Sequence, residues 1–260
     1  MTEELEIFYK HTPQGDLRMR VYHPQSGSGK PRPVMVFFYG GGWRSGRLNQ
    51  FEPQARHFAA KGWLVFLPEY RIADVHNSSP LEAVWDAKSA IRWVLGNLDG
   101  WGGDPGLLVT GGGSAGGHLA LTTVLAPDIN EPGEDVSLAT TPRALALFNP
   151  VVDTTETGFT RHSLNAEEAS SISPIHLLKN PLPPALLLHG TADSITPFSD
   201  ALRFLKAYQE QGGECELLEF EGLDHGFFFF LKHENIPYQQ TLERLELFLQ
   251  KHGLWTDSSH

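Results

Sequence analysis

The chain has 260 residues, 40% of them hydrophobic and 20% charged, and carries a formal net charge of −11. This is the composition of a globular protein with room for a sizeable core, and its acidity argues against a nucleic-acid or anionic-membrane surface. A single cysteine, Cys215, excludes an internal disulfide and a cysteine metal cluster.

The opening residues, "MTEELEIFYK", are acidic and lack a long apolar core, so no export signal is read there. No run reaches the roughly 18 apolar residues of a membrane helix. A cytoplasmic protein is expected, unless an export signal has been removed from this chain. "LEIFYK" and "LRMRVY" alternate apolar and polar residues and predict an antiparallel hairpin. The Pro/Gly/Ser-rich stretch 23–33 that follows reads as a surface loop. "VMVFFY" (34–39) is a continuous apolar run, as in a strand buried on both faces.

From there strands and helices alternate. "NQFEPQARHFAAKG" predicts a helix stopping at Gly62, and "WLVFLPEY" a strand. "PLEAVWDAKSAIRWVLGNL" is an amphipathic helix with Val84, Ala87, Ile91 and Val94 or Leu95 on one face. "GLLVTGG" reads as a strand and "AGGHLALTTVLA" as a helix; "ALALFNP" and "PALLLHG" are short buried strands. "SDALRFLKAYQEQGG" is a helix, "ECELLEF" a strand that buries Cys215, and "YQQTLERLELFLQKHG" a closing helix. The alternation predicts an α/β architecture, a single mainly parallel twisted sheet with helices on both faces, in one domain over 1–260. In such a sheet functional residues are expected just past the carboxyl ends of strands.

One turn meets that expectation with unusual specificity. Gly112-Gly113-Ser114-Ala115-Gly116 fits G-x-S-x-G between a predicted strand and a predicted helix. So tight a turn strains its middle residue and leaves no room for a Cβ two positions either side. It presents the Ser114 hydroxyl at the tip of a helix N-terminus, where negative charge is favoured. A dinucleotide loop would instead need G-x-G-x-x-G near the first strand of a βαβ unit.

Strand–"GGGSAGG"–helix, preceded by "YGGGW", resembles the α/β-hydrolase fold, in its acetyl esterase/lipase branch (hormone-sensitive-lipase-like and BD-FAE feruloyl-esterase-like enzymes). "EYRI" (69–72), "DAKSAIRWV" (86–94) and "GGSAGGHLA" (112–120) sit where that branch carries similar stretches, and the resemblance runs from about Pro33 to His252. It implies a serine hydrolase without metal or cofactor.

Serine needs an adjacent base. Nine of the twelve histidines, from His11 to His260, fall in predicted loops or on helix surfaces. His118 lies four residues after Ser114, where packing competes with function, and His189 ends a strand as a structural or supporting residue. His225, in "EFEGLDHGFFFF", follows the last strand, where the resemblance places the base. The acid that orients it is read as Asp193 in "LHGTADSITP", because Ser114, Asp193, His225 is the chain order of this fold. Asp153 after "FNPVVD" is the alternative acid, and Asp224 reads as a loop cap.

Acyl transfer also needs backbone donors for an oxyanion. Ala115 N–H supplies one, and the three-glycine loop after "VMVFFY" the other, through Gly41 or Gly42. Related sequences carry histidine before the triplet; Tyr39 stands there instead, as a brace for the loop or as a further donor to the oxyanion. Trp43, Phe227 and Phe228 flank these positions and suggest an aromatic acyl or sugar platform. Only the stretch 150–184 is long enough for a small flap, so little or no cap domain is expected and the site should be open. That suits short-acyl (acetyl) or feruloyl-type esters, small or on carbohydrate, in a monomer or homodimer without nucleic-acid or membrane partners. Amide hydrolysis of the arylformamidase or peptidase kind, and an inactive binding module, are the competing readings.

Overall fold

The computed structural model describes residues 2–24, 31–155 and 164–255. His162, His260, part of the 23–33 loop and part of the 150–184 stretch lie outside them.

The chain opens with a hairpin, β1 (Thr2–Thr12) and β2 (Gly15–Pro24), as the alternating runs predict. It continues through β3 (Arg32–Phe38), α1 (Glu52–Ala60), β4 (Leu64–Pro68), α2 (Ala73–His76) and α3 (Pro80–Asn97). Then come β5 (Gly103–Gly113), α4 (Ala115–Leu125), β6 (Ala144–Phe148), α5 (Ala166–Ser171) and α6 (Pro174–Leu177). β7 (Ala185–Gly190), α7 (Phe198–Glu210), β8 (Cys215–Phe220) and α8 (Ile236–Lys251) close it.

All eight strands form one sheet in the order β1-β2-β4-β3-β5-β6-β7-β8. β1, β2 and β4 pair antiparallel at one edge, and β3 to β8 run parallel. A parallel sheet covered by helices on both faces must bury its strands completely, and every residue of β4, β6 and β7 is buried.

Local chemistry sets the helix ends. Glu82 accepts from the Ser79 amide at 2.8 Å in a capping box, with Pro80 at the first helical position, so α3 starts there. Its predicted stripe, Val84, Ala87, Ile91 and Val94, is fully buried. Lys88 on the same helix is buried too and donates to the carbonyls of Ala126, Pro127 and Ile129. These carbonyls belong to the residue that caps α4 and to the turn after it, so Lys88 ties that turn to α3. Burial pulls its ammonium down to about 8. Cys215 is buried, and burial pushes its thiol up to about 12. No helix among the described residues is long and apolar enough to cross a membrane.

The consequence for function is positional. The carboxyl ends of β3, β5, β6, β7 and β8 lead into the glycine loop, the serine turn, Asn149, Asp193 and His225 respectively.

Candidate active site

Ser114 sits between β5 and α4 at φ 55°, ψ −120°, a left-handed conformation that costs a residue with a side chain on the order of 1–3 kcal/mol. The surroundings hold it there. Its amide donates to Phe148 O at 2.9 Å, and its carbonyl accepts from the His118 and Val151 amides at 3.1 Å each. The turn permits nothing larger than glycine beside it: a Cβ on Gly116 would stand 2.1 Å from Phe38 O, and one on Gly112 2.5 Å from the same atom. The serine turn is therefore pressed against the end of β3, where the glycine loop begins.

Asp193 and His225 meet as the sequence predicts, with Nδ1 of His225 2.7 Å from Oδ2 of Asp193. Asp193 is buried. Its Oδ1 accepts from the amides of Ile195 and Thr196, and its Oδ2 also from Thr196 Oγ1, all at 2.9 Å. His189 Nε2 stands 3.4 Å from Oδ2. Burial by itself would raise the Asp193 carboxyl; the hydrogen bonds from His189, His225 and Thr196 outweigh it and hold the group well below the ordinary carboxylate range. Asp193 is thus ionised at neutral pH and directs the Nδ1 proton of His225 toward itself, leaving Nε2 as the acceptor.

Nε2 has an occupant that sequence reasoning missed. The side-chain nitrogen of Asn149 lies 3.0 Å from it and 2.8 Å from Nδ1. Asn149 is fully buried at the end of β6 with φ 36°, and its Oδ1 has no hydrogen-bond partner among the described residues. Ser114 Oγ makes no hydrogen bond to His225 here, although both line one cavity of about 940 Å³. Asp153, the alternative acid, bonds Thr155 and Arg203 and does not reach His225. Asp224 accepts from the Gly226 amide, capping its loop. His118 is buried, its Nε2 2.8 Å from Ile172 O and its ring edge-on to Trp43. Burial pulls its pKa down to about 4, so it packs as a neutral ring.

The glycine loop lies against the serine turn, and Gly40 to Gly42 and Ser114 line the same cavity. Gly41, at φ 143°, folds so closely over the following residues that a Cβ would stand 2.0 Å from Ser45 O. Gln50 Oε1 accepts from the Gly40 amide at 2.6 Å. The amides of Gly41, Gly42 and Ala115 donate to no acceptor among the described residues.

The aromatic expectation needs correction. Tyr39, Trp43 and Phe227 are buried in the core and line no part of the cavity; Phe228, Phe229 and Phe230 do. Trp43 turns in against His118, and Phe227 stacks on Phe220. Tyr39 stacks on Tyr70 at 4.3 Å, and its hydroxyl donates to Tyr70 O, away from Ser114. In the 150–184 stretch, Ile175 N donates to Val152 O and Thr154 Oγ1 to Ala169 O within the stretch, while Val151 N donates to Ser114 O and Ile172 O stands 2.8 Å from His118 Nε2, which ties it to the body. None from 164 to 184 lines the cavity.

This arrangement has relatives. A family model described as BD-FAE matches residues 19–160, and that of the prolyl oligopeptidase family matches residues 90–253. The esterase Est2 of the planctomycete Thermogutta terrifontis superposes with TM-score 0.91 at 39% identity, over 98% of this chain and 95% of that one. The chain belongs to the α/β-hydrolase esterase and lipase family. Its mainly parallel sheet with flanking helices is that of the carboxylic ester hydrolases of this fold. Est2 has also been solved with propionate bound and phosphorylated by paraoxon, both at 40% identity and TM-score 0.91, over 97% of this chain and 95% of that one. Esterase LipC of Mycobacterium tuberculosis is 30% identical over 76% of this chain and 54% of its own length. The probable isoprenylcysteine alpha-carbonyl methylesterase ICMEL1 of Oryza sativa is 29% identical over 84% of this chain and 56% of its own. The chain spans about half the length of these curated relatives.

Proposed function

We propose that the protein is a serine carboxylic-ester hydrolase working through an acyl-enzyme, with Ser114 as nucleophile, His225 as base and Asp193 as the group that orients it. The observation that carries this reading is the conjunction of a strained, glycine-flanked Ser114 with an ionised Asp193 bonded to His225 on the wall of the same cavity. Ser114 Oγ attacks the ester carbonyl while Nε2 of His225 takes its proton. The Asn149 contact at Nε2 must yield for that to happen, and such contacts commonly rearrange when substrate arrives. Asp193 stabilises the imidazolium, which then returns the proton to the leaving alcohol. The free amides of Ala115 and of Gly41 or Gly42 take the oxyanion, each donor contributing on the order of 10²–10³ in rate.

Short acyl esters suit the site best. Phe228 closes on Gly113, where a Cβ would stand 2.8 Å from its ring, so the wall beside the serine is tight. The similar Est2 has been solved with propionate. Its reaction with paraoxon also fits a nucleophile of this kind. Feruloyl-type and carbohydrate esters extend the same reading into the wider cavity. The match of residues 90–253 to the prolyl oligopeptidase family favours amide cleavage as the second reading.

Hydrolysis of 4-nitrophenyl acetate with Ser114→Ala as control tests the proposal. The variant should fall by about 10⁵–10⁶ in kcat, the size of effect seen when a triad serine is lost. Equal rates for both proteins would end it. Running 4-nitrophenyl acetate beside 4-nitroacetanilide separates ester from amide.

A further inference from the structure

The protein holds 31 acidic against 20 basic residues, yet the wall of its large cavity reverses that balance. Apart from His225, the ionisable residues lining it are Arg44 and Arg47; no acidic side chain among the described residues does. The two arginines are not equivalent. Arg44 is paired with Asp74, Nε to Oδ1 at 3.0 Å. The Arg47 side chain has no hydrogen bond or ion pair among the described residues, so its guanidinium carries an unpaired positive charge beside the reactive serine's cavity.

Its origin is fixed. Gly46, at φ 144°, packs so tightly on Tyr39 that a Cβ would stand 2.3 Å from the ring. Trp43 is anchored in the core, and Arg47 O accepts from the Gln50 amide. The side chains that anchor the loop, Tyr39 and Trp43, are thus the buried ones, while Arg44 and Arg47 stay exposed at the cavity lining. The backbone from which the Arg47 side chain springs is therefore held in place, so less loop freedom is lost on binding. Ile195, Phe229 and Phe230 add apolar surface to the same lining.

We infer that Arg47 is a specificity determinant that binds an anionic group on the substrate, a carboxylate in the first instance, and so selects esters carrying a negative charge beside an apolar portion. The inference rests on the ester-hydrolase reading above. Its physical basis is complementarity: an anion approaching a chain of net charge −11 is repelled in general, and a local unpaired guanidinium reverses that at one place. The planar fork of arginine also matches a carboxylate through two parallel hydrogen bonds.

The experiment measures kcat/KM on two substrate pairs matched in shape and differing by one carboxylate. On the acyl side these are 4-nitrophenyl hydrogen adipate and 4-nitrophenyl hexanoate. On the alcohol side they are 5-acetoxy-2-nitrobenzoate and 4-nitrophenyl acetate. In one arm the natural protein should favour the carboxylated member, and the arm that responds tells which part of the substrate bears the anion. Arg47→Met should lower the charged-to-neutral ratio about tenfold, Arg47→Lys less, and Arg47→Glu more. Added salt should shrink the preference. Thermal melts of each variant verify folding. A natural protein with no preference in either arm, or an Arg47→Met ratio equal to its own, overturns the inference. Undiminished hydrolysis of the neutral esters by Ser114→Ala would instead overturn the reading beneath it.

Discussion

Two buried carboxylates in this molecule are surrounded by donors in similar number and to opposite effect. Asp86 on α3 accepts from Lys10 Nζ at 2.7 Å and from the amide, Nε and Nη2 of Arg71 at 2.8 to 2.9 Å. Two permanent cations neutralise it; Arg71 continues to Glu82 and Glu131, and Lys10 to Glu131, so every charge there is answered by another. Asp193 accepts as many bonds, but from amides, a hydroxyl and histidines, with no lysine or arginine among them. Its negative charge is fully answered only when His225 becomes charged. A carboxylate held ionised without a permanent cation is suited to stabilising a transient one, whereas one saturated by fixed cations can only hold structure.

The same substitution at both positions breaks or sharpens that contrast. Asp193→Asn should lower kcat by about 10⁴, because the amide favours the wrong tautomer of His225. Asp86→Asn should leave turnover per folded molecule unchanged. It should instead cost about 1.5–3 kcal/mol of stability by removing the charged partner of the nearly buried Arg71, which keeps only Glu82 and Glu131 as charged partners. Steady-state rates and urea unfolding of both variants decide it. An Asp86→Asn protein that is stable but slow would show that the distinction is wrong.

His118 and His225 extend the comparison to the bases. His118 is buried and neutral, its pKa pulled from 6.5 to about 4 by burial. Between pH 6.5 and about 4 the unfolded chain binds a proton here that the native protein refuses, so this group's effect is to lower stability as pH falls through that window. The loss is on the order of 3 kcal/mol by pH 4, and none remains above pH 6.5. His118→Gln removes the titration. Its stability, measured by denaturant at pH 7 and pH 4.5, should fall less between the two than that of the natural protein. Equal falls would show that His118 does not titrate in this way.

The parts of the fold that sequence reveals are those written in local pattern. The βα alternation names the strands in order, and Gly112-x-Ser114-x-Gly116 announces the serine turn because its steric demand falls on residues two apart. "EYRI" and "DAKSAIRWV" are conspicuous for another reason: Arg71 in one binds Asp86 in the other, a structural pairing that no single stretch shows. Asn149 and Thr196 escape notice because an uncharged side chain carries no motif, although each follows a strand end and reaches His225. Of Trp43, Phe227 and Phe228, expected to form an aromatic platform, only Phe228 lines the cavity. Phe227 and Phe228 are neighbours in sequence, but one packs on Phe220 in the core and the other on Phe51 at the cavity wall. Loop residues have no period from which that choice of side could be read.

Tyr39 shows the same limit at longer range, since its partner Tyr70 is 31 residues away. The two rings stack at 19° and exchange bonds: Tyr70 hydroxyl to Tyr39 O at 2.8 Å, and Tyr39 hydroxyl to Tyr70 O at 3.3 Å. Burial raises the Tyr39 hydroxyl far above its ordinary pKa, so it stays a neutral donor whose proton is already committed. It braces the glycine loop mainly through its ring, on which Gly46 rests. Tyr39→Phe keeps that ring and should cost at most about 1 kcal/mol of stability, with kcat/KM on 4-nitrophenyl acetate within about twofold of the natural value. Tyr70→Phe should cost more, because it removes the shorter bond and leaves the Tyr39 carbonyl buried without its donor. A fall in kcat of about a hundredfold in Tyr39→Phe, with KM unchanged, would mean that the hydroxyl swings to the oxyanion during turnover, and that the brace is also a donor.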